Sequence, residues 1–164
     1  MAINSLKDLY IDQLQDIHSA NTQALDVTRA LAEAAKNRDL RRALQAGVEG
    51  IGKGIEAVEK IVRAHDADPA GEHCKGMEGL VKEARAHALE EEFSDDDTRD
   101  AMIITQYQRM VHYAIAGYGC LVAFASRLDL SDDAAALQEC LDHSYSGDRT
   151  MTDIATGGVN QAAV

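Results

Sequence analysis

A chain of 164 residues with a 46% hydrophobic fraction is long enough for one domain with a sizeable core and too short for two. Its 28 acidic and 16 basic residues leave a formal charge of -12, which repels phosphate backbones; with no basic patch in view, nucleic-acid binding is excluded. Aromatic residues make up 4%, there is a single proline, and alanine is abundant, a mixture that favours close-packed helices over a sheet core. The expected class is all-α.

The opening MAINSLKDLY runs directly into an amphipathic pattern, without the basic region and apolar run of a targeting signal. A cytoplasmic protein is therefore expected. Cys74, Cys120 and Cys140 are odd in number and form no CxxC pair, which points to reduced thiols.

The first helix is predicted to start at Ser5, whose hydroxyl can cap the turn with Asp8 three residues on, and to run to about Ala35. Leu6, Tyr10, Leu14, Ile17, Asn21, Ala24, Leu25, Thr28 and Leu31 form its inward stripe. Asn21 is the polar member, and a buried amide in mid-helix is expected to bond to a neighbouring helix. Lys36 and Asn37 read as a tight reversal, with Asn37 suited to a left-handed conformation. A second helix follows from about Asp39 to His65. Gly47, Gly50, Gly52 and Gly54 crowd its middle, each costing up to roughly 1 kcal/mol of helix propensity relative to alanine. Because Gly47, Gly50 and Gly54 share the face of Leu40, Leu44 and Val58, that face is expected to admit a close neighbour or, as the second choice, to border a pocket.

The segment from Asp66 to His73 contains Pro69 and Gly71 and breaks the helix, so a crossover begins there. Within it Cys74 to Glu91 reads as a shorter helix, where Glu83 and His87 sit four apart as a solvated polar pair. The acidic run from Glu90 to Asp97 lacks the alternation and central glycine of a calcium loop; Ser94 or Asp97 is expected to cap the next helix. That helix, Asp100 to Leu128, is the longest apolar segment, with Ile104, Gln108, Val111, Ile115, Tyr118, Val122 and Ala125 on one face. Gln106, Gln108, Arg109 and His112 interrupt it, so it falls short of the roughly 20 apolar residues that span a bilayer. Cys120 and Cys140 are placed near core-facing stripes. The tyrosines at 107, 113 and 118 are given a structural role. A last helix runs from Asp132 to about Ile154 with Leu137, Leu141, Ser144, Asp148 and Met151 inward. The expected organisation is a helical domain over 1–155 and a flexible tail over 156–164.

Four long helices with a short extra helix in the crossover between the second and third describe a ferritin-like four-helix bundle. LKDLYIDQLQDIHSA, CKGMEGLVKEA, QRMVHYAIAGYG and LQECLD, in that order, resemble the YciF family of stress-associated bacterial proteins with a ferritin-like fold. The resemblance implies an inward set of metal-ligating carboxylates, which this chain departs from. Asn21, Gly50, Val111, Ala114 and Ser144 stand where the family pattern has glutamates, Gly47 stands where it has a histidine, and Gln108 and Asp148 alone persist among the inward polar positions.

The leading expectation is a non-catalytic, metal-free protein that acts by packing or partner binding, associates as a homodimer, and touches neither membrane nor nucleic acid. One alternative is an iron- or manganese-holding protein or oxidase with rebuilt ligands: Asp148, His143 and Glu139. Its geometric weakness is that His143 should lie on a flank of its helix, about 120 degrees from the inward stripe. The other alternative is a small-molecule pocket in the vacated site, bordered by Asn21, Gly47, Gly50, Gly54, Gln108, Val111, Ala114, Ser144 and Asp148.

Overall fold

The computed structural model describes residues 3–163, which are helical apart from their connections and contain no strand. Helix α1 spans Leu6–Ala34, and its Ser5 cap is the expected one, with Oγ accepting from the Asp8 N–H at 3.1 Å. Its buried stripe runs through Tyr10, Leu14, Ile17, Asn21, Ala24, Thr28 and Leu31, because residues three and four apart share one face.

Helix α2, Arg38–Ala64, begins differently from expectation. Asn37 is not left-handed: at φ -62° and ψ 127° it is extended, and its Oδ1 accepts from the N–H groups of Asp39 and Leu40 as an N-cap. The reversal is instead held from outside. The Asp100 carboxylate, 1% exposed, accepts the Lys36 N–H at 2.9 Å and the Asn37 N–H at 2.6 Å.

Helix α3 spans Lys75–Ala84 and continues as a π-helical turn over Arg85–Glu90; Cys74 caps it, its sulfur accepting from the Met77 N–H. Helix α4 spans Asp96–Arg127. Neither Ser94 nor Asp97 caps it. Asp95 does, through Thr98 N–H at 2.7 Å, while Ser94 spends its hydroxyl on the Asp95 carboxylate. Helix α5 spans Ser131–Ile154 and has no side-chain cap; a left-handed Asp129 (φ 58°) makes the turn into it.

Two contacts fix the helix directions. Asp100 joins the start of α4 to the start of α2, so these two run in the same sense. At the opposite end, Asp133 at the start of α5 accepts from Tyr10 of α1 at 3.0 Å and pairs with His65 after α2 at 2.7 Å. Hence α1 and α5 run one way and α2 and α4 the other. Helix α1 packs on α2 and α4, and α5 packs on the same two, which leaves α2 and α4 facing each other diagonally across the core. Helix α3 lies over the seam between α1 and α4.

Three expectations need revision. Gln108 and Ile115 are only partly buried, because α4 is contacted by α1, α3 and α5 and so buries a wider arc through Ile103, Gln106, Tyr107 and Met110. Cys120 is exposed and Cys140 half-buried. The residues from Thr156, read as a flexible tail, are helical through Ala162: a π-helical turn spans Ala155–Val159 and a short helix α6 spans Asn160–Ala162, with Val159 1% exposed against the core. The apolar side chains of Ala155 and Val159 give that segment something to bury. None of the helices is long and apolar enough to cross a membrane, among the described residues.

Candidate functional site: a cavity between the four long helices

The glycines of α2 do not admit a neighbouring backbone. Gly47 and Gly54 face tyrosine side chains sent across the diagonal from α4. A side chain at Gly47 would collide with the Tyr107 hydroxyl, and a Cβ at Gly54 would lie 2.7 Å from the Tyr118 hydroxyl. Between them, a Cβ at Gly50 would meet nothing within 4 Å. The open space there belongs to a cavity of about 220 Å³ lined by all four long helices and by Met77 of α3.

Seven of the nine residues expected to border a pocket line this cavity: Asn21, Gly47, Gly50, Gly54, Val111, Ala114 and Ser144. Gln108 and Asp148 do not. They lie on the outer seam of α4 and α5, where Gln108 donates to the Asp148 carboxylate at 2.9 Å and His112 meets the same oxygen at 3.0 Å. The wider buried arc of α4 explains this. It turns Tyr107 and Val111 toward the core and Gln108 toward α5.

The alternative metal set does not assemble. Asp148 is on that outer seam, Glu139 is exposed, and His143 donates through Nδ1 to the Glu139 carbonyl at 2.9 Å. His143 is exposed, as a flank position should be, yet it borders the cavity at its rim with Ser146 and Thr150. The mouth therefore lies between α2 and α5. Among the described residues no three His, Cys, Asp or Glu side chains gather as a metal-ligand group. Glu83 and His87 do meet, at 3.3 Å on the surface, and His87 also reaches Glu91.

No Asp, Glu, Lys or Arg lines the cavity. Its walls are glycine, alanine, valine and isoleucine with Met77, Met110 and Met151, and its polar atoms are mostly committed. Asn21 donates to the Tyr118 hydroxyl at 2.7 Å, Ser144 to the Cys140 carbonyl at 2.9 Å, and Thr150 to the Ser146 carbonyl at 2.9 Å. Among the buried polar side chains of the lining, Tyr107 is the exception. It is 4% exposed, and among the described residues its hydroxyl makes no hydrogen bond; burial alone pushes its ionisation up to about 12. The sequence pattern gives Tyr107 a structural role but leaves it off the inward stripe of α4. The signal was present in Gly47, since a glycine in mid-helix marks a place where something bulky must fit.

Two polar clusters lie away from the cavity. At one end of the helices Lys7 donates to His65 Nδ1 at 2.8 Å, which puts the imidazole proton on Nε2, facing Asp133. Burial lowers the Lys7 pKa, opposed by the Asp133 charge. Under α3, Tyr113 donates to Asp16 at 2.8 Å and meets the Cys74 sulfur at 2.9 Å, while burial raises the thiol above its usual range. Both clusters tie elements together, and none of their residues lines the central cavity.

Residues 5–164 match the family described as a domain of unknown function, DUF892. The chain belongs to this family. Protein YciF of Escherichia coli (strain K12) is 32% identical over 164 residues, covering 99% of this chain and 98% of that protein. The solved structure of the E. coli stress protein YciF superposes with a TM-score of 0.87 at 31% identity, over 96% of this chain and 99% of its own. YcfI of Rhodopseudomonas palustris superposes with a TM-score of 0.85, also at 31% identity, over 92% and 94%. These matches extend over nearly the whole chain, so the resemblance to YciF proteins read from four short motifs is a family membership.

Proposed function

We propose that this protein is a non-catalytic, ferritin-like member of the YciF family that binds a small molecule in its central cavity. The observation that carries the reading is the open space beside Gly50, lined by four helices and free of carboxylates. The helix directions support the ferritin-like assignment: an antiparallel pair, a long crossover that carries the chain back to the end where α2 starts, and a second antiparallel pair. The 1–155 unit is read as that bundle, with 155–162 as its C-terminal extension. The E. coli relative is a stress protein, which supports a stress-associated role.

The residues lining the cavity do not fit a di-metal centre. Two divalent ions would bring four positive charges into a low-dielectric space, at several kcal/mol per ion without compensation. Asn21, Gly50, Val111, Ala114 and Ser144 provide no negative charge, and Asp148 faces elsewhere. Metal-free function follows. The homodimer and the cytoplasmic location rest on the resemblance and the sequence; Ile3 and Tyr145 are the large hydrophobics exposed among the described residues. Sedimentation as a monomer at micromolar concentration would remove the dimer.

Xenon tests the cavity, since apolar cavities of this order take up xenon. The expected result is a saturable xenon shift by NMR that disappears in Gly50→Leu, with that variant still folded. A wild-type protein that takes up no xenon would end the binding reading.

A further inference from the structure

We infer that the cavity selects a small, neutral, one-ring aromatic molecule bearing a hydrogen-bond acceptor, its oxygen held by the Tyr107 hydroxyl and its ring against the methionines. The inference rests on the binding reading above and names its ligand class.

Three observations converge on that class. The hydroxyl of Tyr107 is a donor with nothing to donate to, although the residue is 4% exposed. By contrast Tyr10, Tyr113 and Tyr118 each have a partner for theirs. The hydroxyl is not sealed in packing but reached from the cavity that Tyr107 lines, so a partner that enters the cavity is implied. Water alone is a weaker occupant than a larger apolar molecule, because most of the lining is glycine, alanine, valine, isoleucine and methionine. The Ser144 and Thr150 hydroxyls donate to carbonyls of their own helix and keep only acceptor lone pairs free.

Charge and wall chemistry narrow the ligand. With no carboxylate, ammonium or guanidinium on the lining, a charged ligand would be desolvated without compensation, so the ligand is neutral. Three of the five methionines, Met77, Met110 and Met151, face the space, and thioethers make favourable contacts with aromatic rings. A volume of about 220 Å³ exceeds the roughly 150 Å³ of an apolar cavity that holds benzene, leaving room for one ring and a short substituent. Because Tyr107 stays protonated well beyond neutral pH, it meets the ligand as a donor, and a carbonyl oxygen is the matching group.

Acetophenone and ethylbenzene, which differ by a carbonyl, serve as the probe pair, read by NMR of labelled methionine methyl groups in the wild type and in Tyr107→Phe. Acetophenone is expected to shift the Met110 and Met151 methyls saturably. Its affinity should fall about three- to tenfold in Tyr107→Phe, the range for one net hydrogen bond. Ethylbenzene should bind both proteins alike, and retained xenon uptake by Tyr107→Phe shows that the cavity is intact. Equal acetophenone affinity in the two proteins overturns the assignment of Tyr107. Xenon uptake without any response to acetophenone overturns the ligand class and leaves the cavity reading standing, whereas loss of xenon uptake in the wild type overturns both.

Discussion

The space between α2 and α4 has two halves made from the same device, a glycine on one helix facing a tyrosine on the other. Around Gly54 the device closes the core: Tyr118 fills the gap and Asn21 reaches from α1 to satisfy its hydroxyl at 2.7 Å. Around Gly47 it leaves the core open, since Tyr107 fits against the glycine but finds no partner and the adjoining Gly50 faces empty space. A buried tyrosine thus completes a core only when a neighbouring element brings a polar group to meet it. The third wall decides the outcome.

The sharpest way to break this contrast is to add bulk on the closed side. Gly54→Val should cost about 1 to 3 kcal/mol, because its side chain would be forced against the Tyr118 hydroxyl and the Asn21 amide, both locked in place. Denaturant melts would show it, and a wild-type midpoint would mean that this half is as loose as the other. Removing the partner comes next. Asn21→Leu removes the donor that the buried Tyr118 hydroxyl accepts from and should destabilise by about 1 to 3 kcal/mol, part of it restored when Tyr118→Phe is added. Additive losses in that double-mutant cycle would deny the coupling.

On the open side the effects shrink and change sign. Tyr107→Phe should be neutral or mildly stabilising near pH 7, since it deletes an unmatched hydroxyl while keeping the ring. It should also blunt alkaline unfolding. The phenol is raised in the folded state from 10.0 to about 12, so its contribution is whole below the unfolded value and is lost as pH rises through the folded one. Thermal melts from neutral pH to about pH 11 should therefore fall less steeply in the variant, in the window above the usual tyrosine pKa of about 10. Identical slopes would show that Tyr107 does not sense burial. The smallest effect is expected for Gly50→Ala, a gain of about 0.4 to 1 kcal/mol, because alanine suits a helix and its methyl group meets nothing. A loss would mean that the space is filled.

Much of the fold was legible because it follows from local rules. The stripe from Tyr10 to Leu31, the Ser5 cap, the break at Pro69 and the four long helices depend on periodicity and on residues a few positions apart. Caps were less secure where several acidic or hydroxyl side chains compete. Asp95 displaced Ser94 and Asp97 through geometry that their shared chemistry does not reveal.

The sequence by itself determined the helical class, the family, and the glycine face of α2 together with Asn21, Val111, Ala114 and Ser144 as its neighbours. Each follows from composition, from spacing along one helix, or from motifs read in order. Only the tertiary structure decided how α4 is turned about its own axis. That rotation is set by contact with three helices at once, and a single period cannot express it. It sends Gln108 and its partner Asp148 to the outer seam, and it aims Tyr107 across the diagonal at Gly47. Whether a buried hydroxyl is matched depends on atoms from segments distant in the chain, such as Asn21 and Tyr118, 97 residues apart. For that reason the unmatched Tyr107, on which the choice of ligand turns, is a property of the folded molecule.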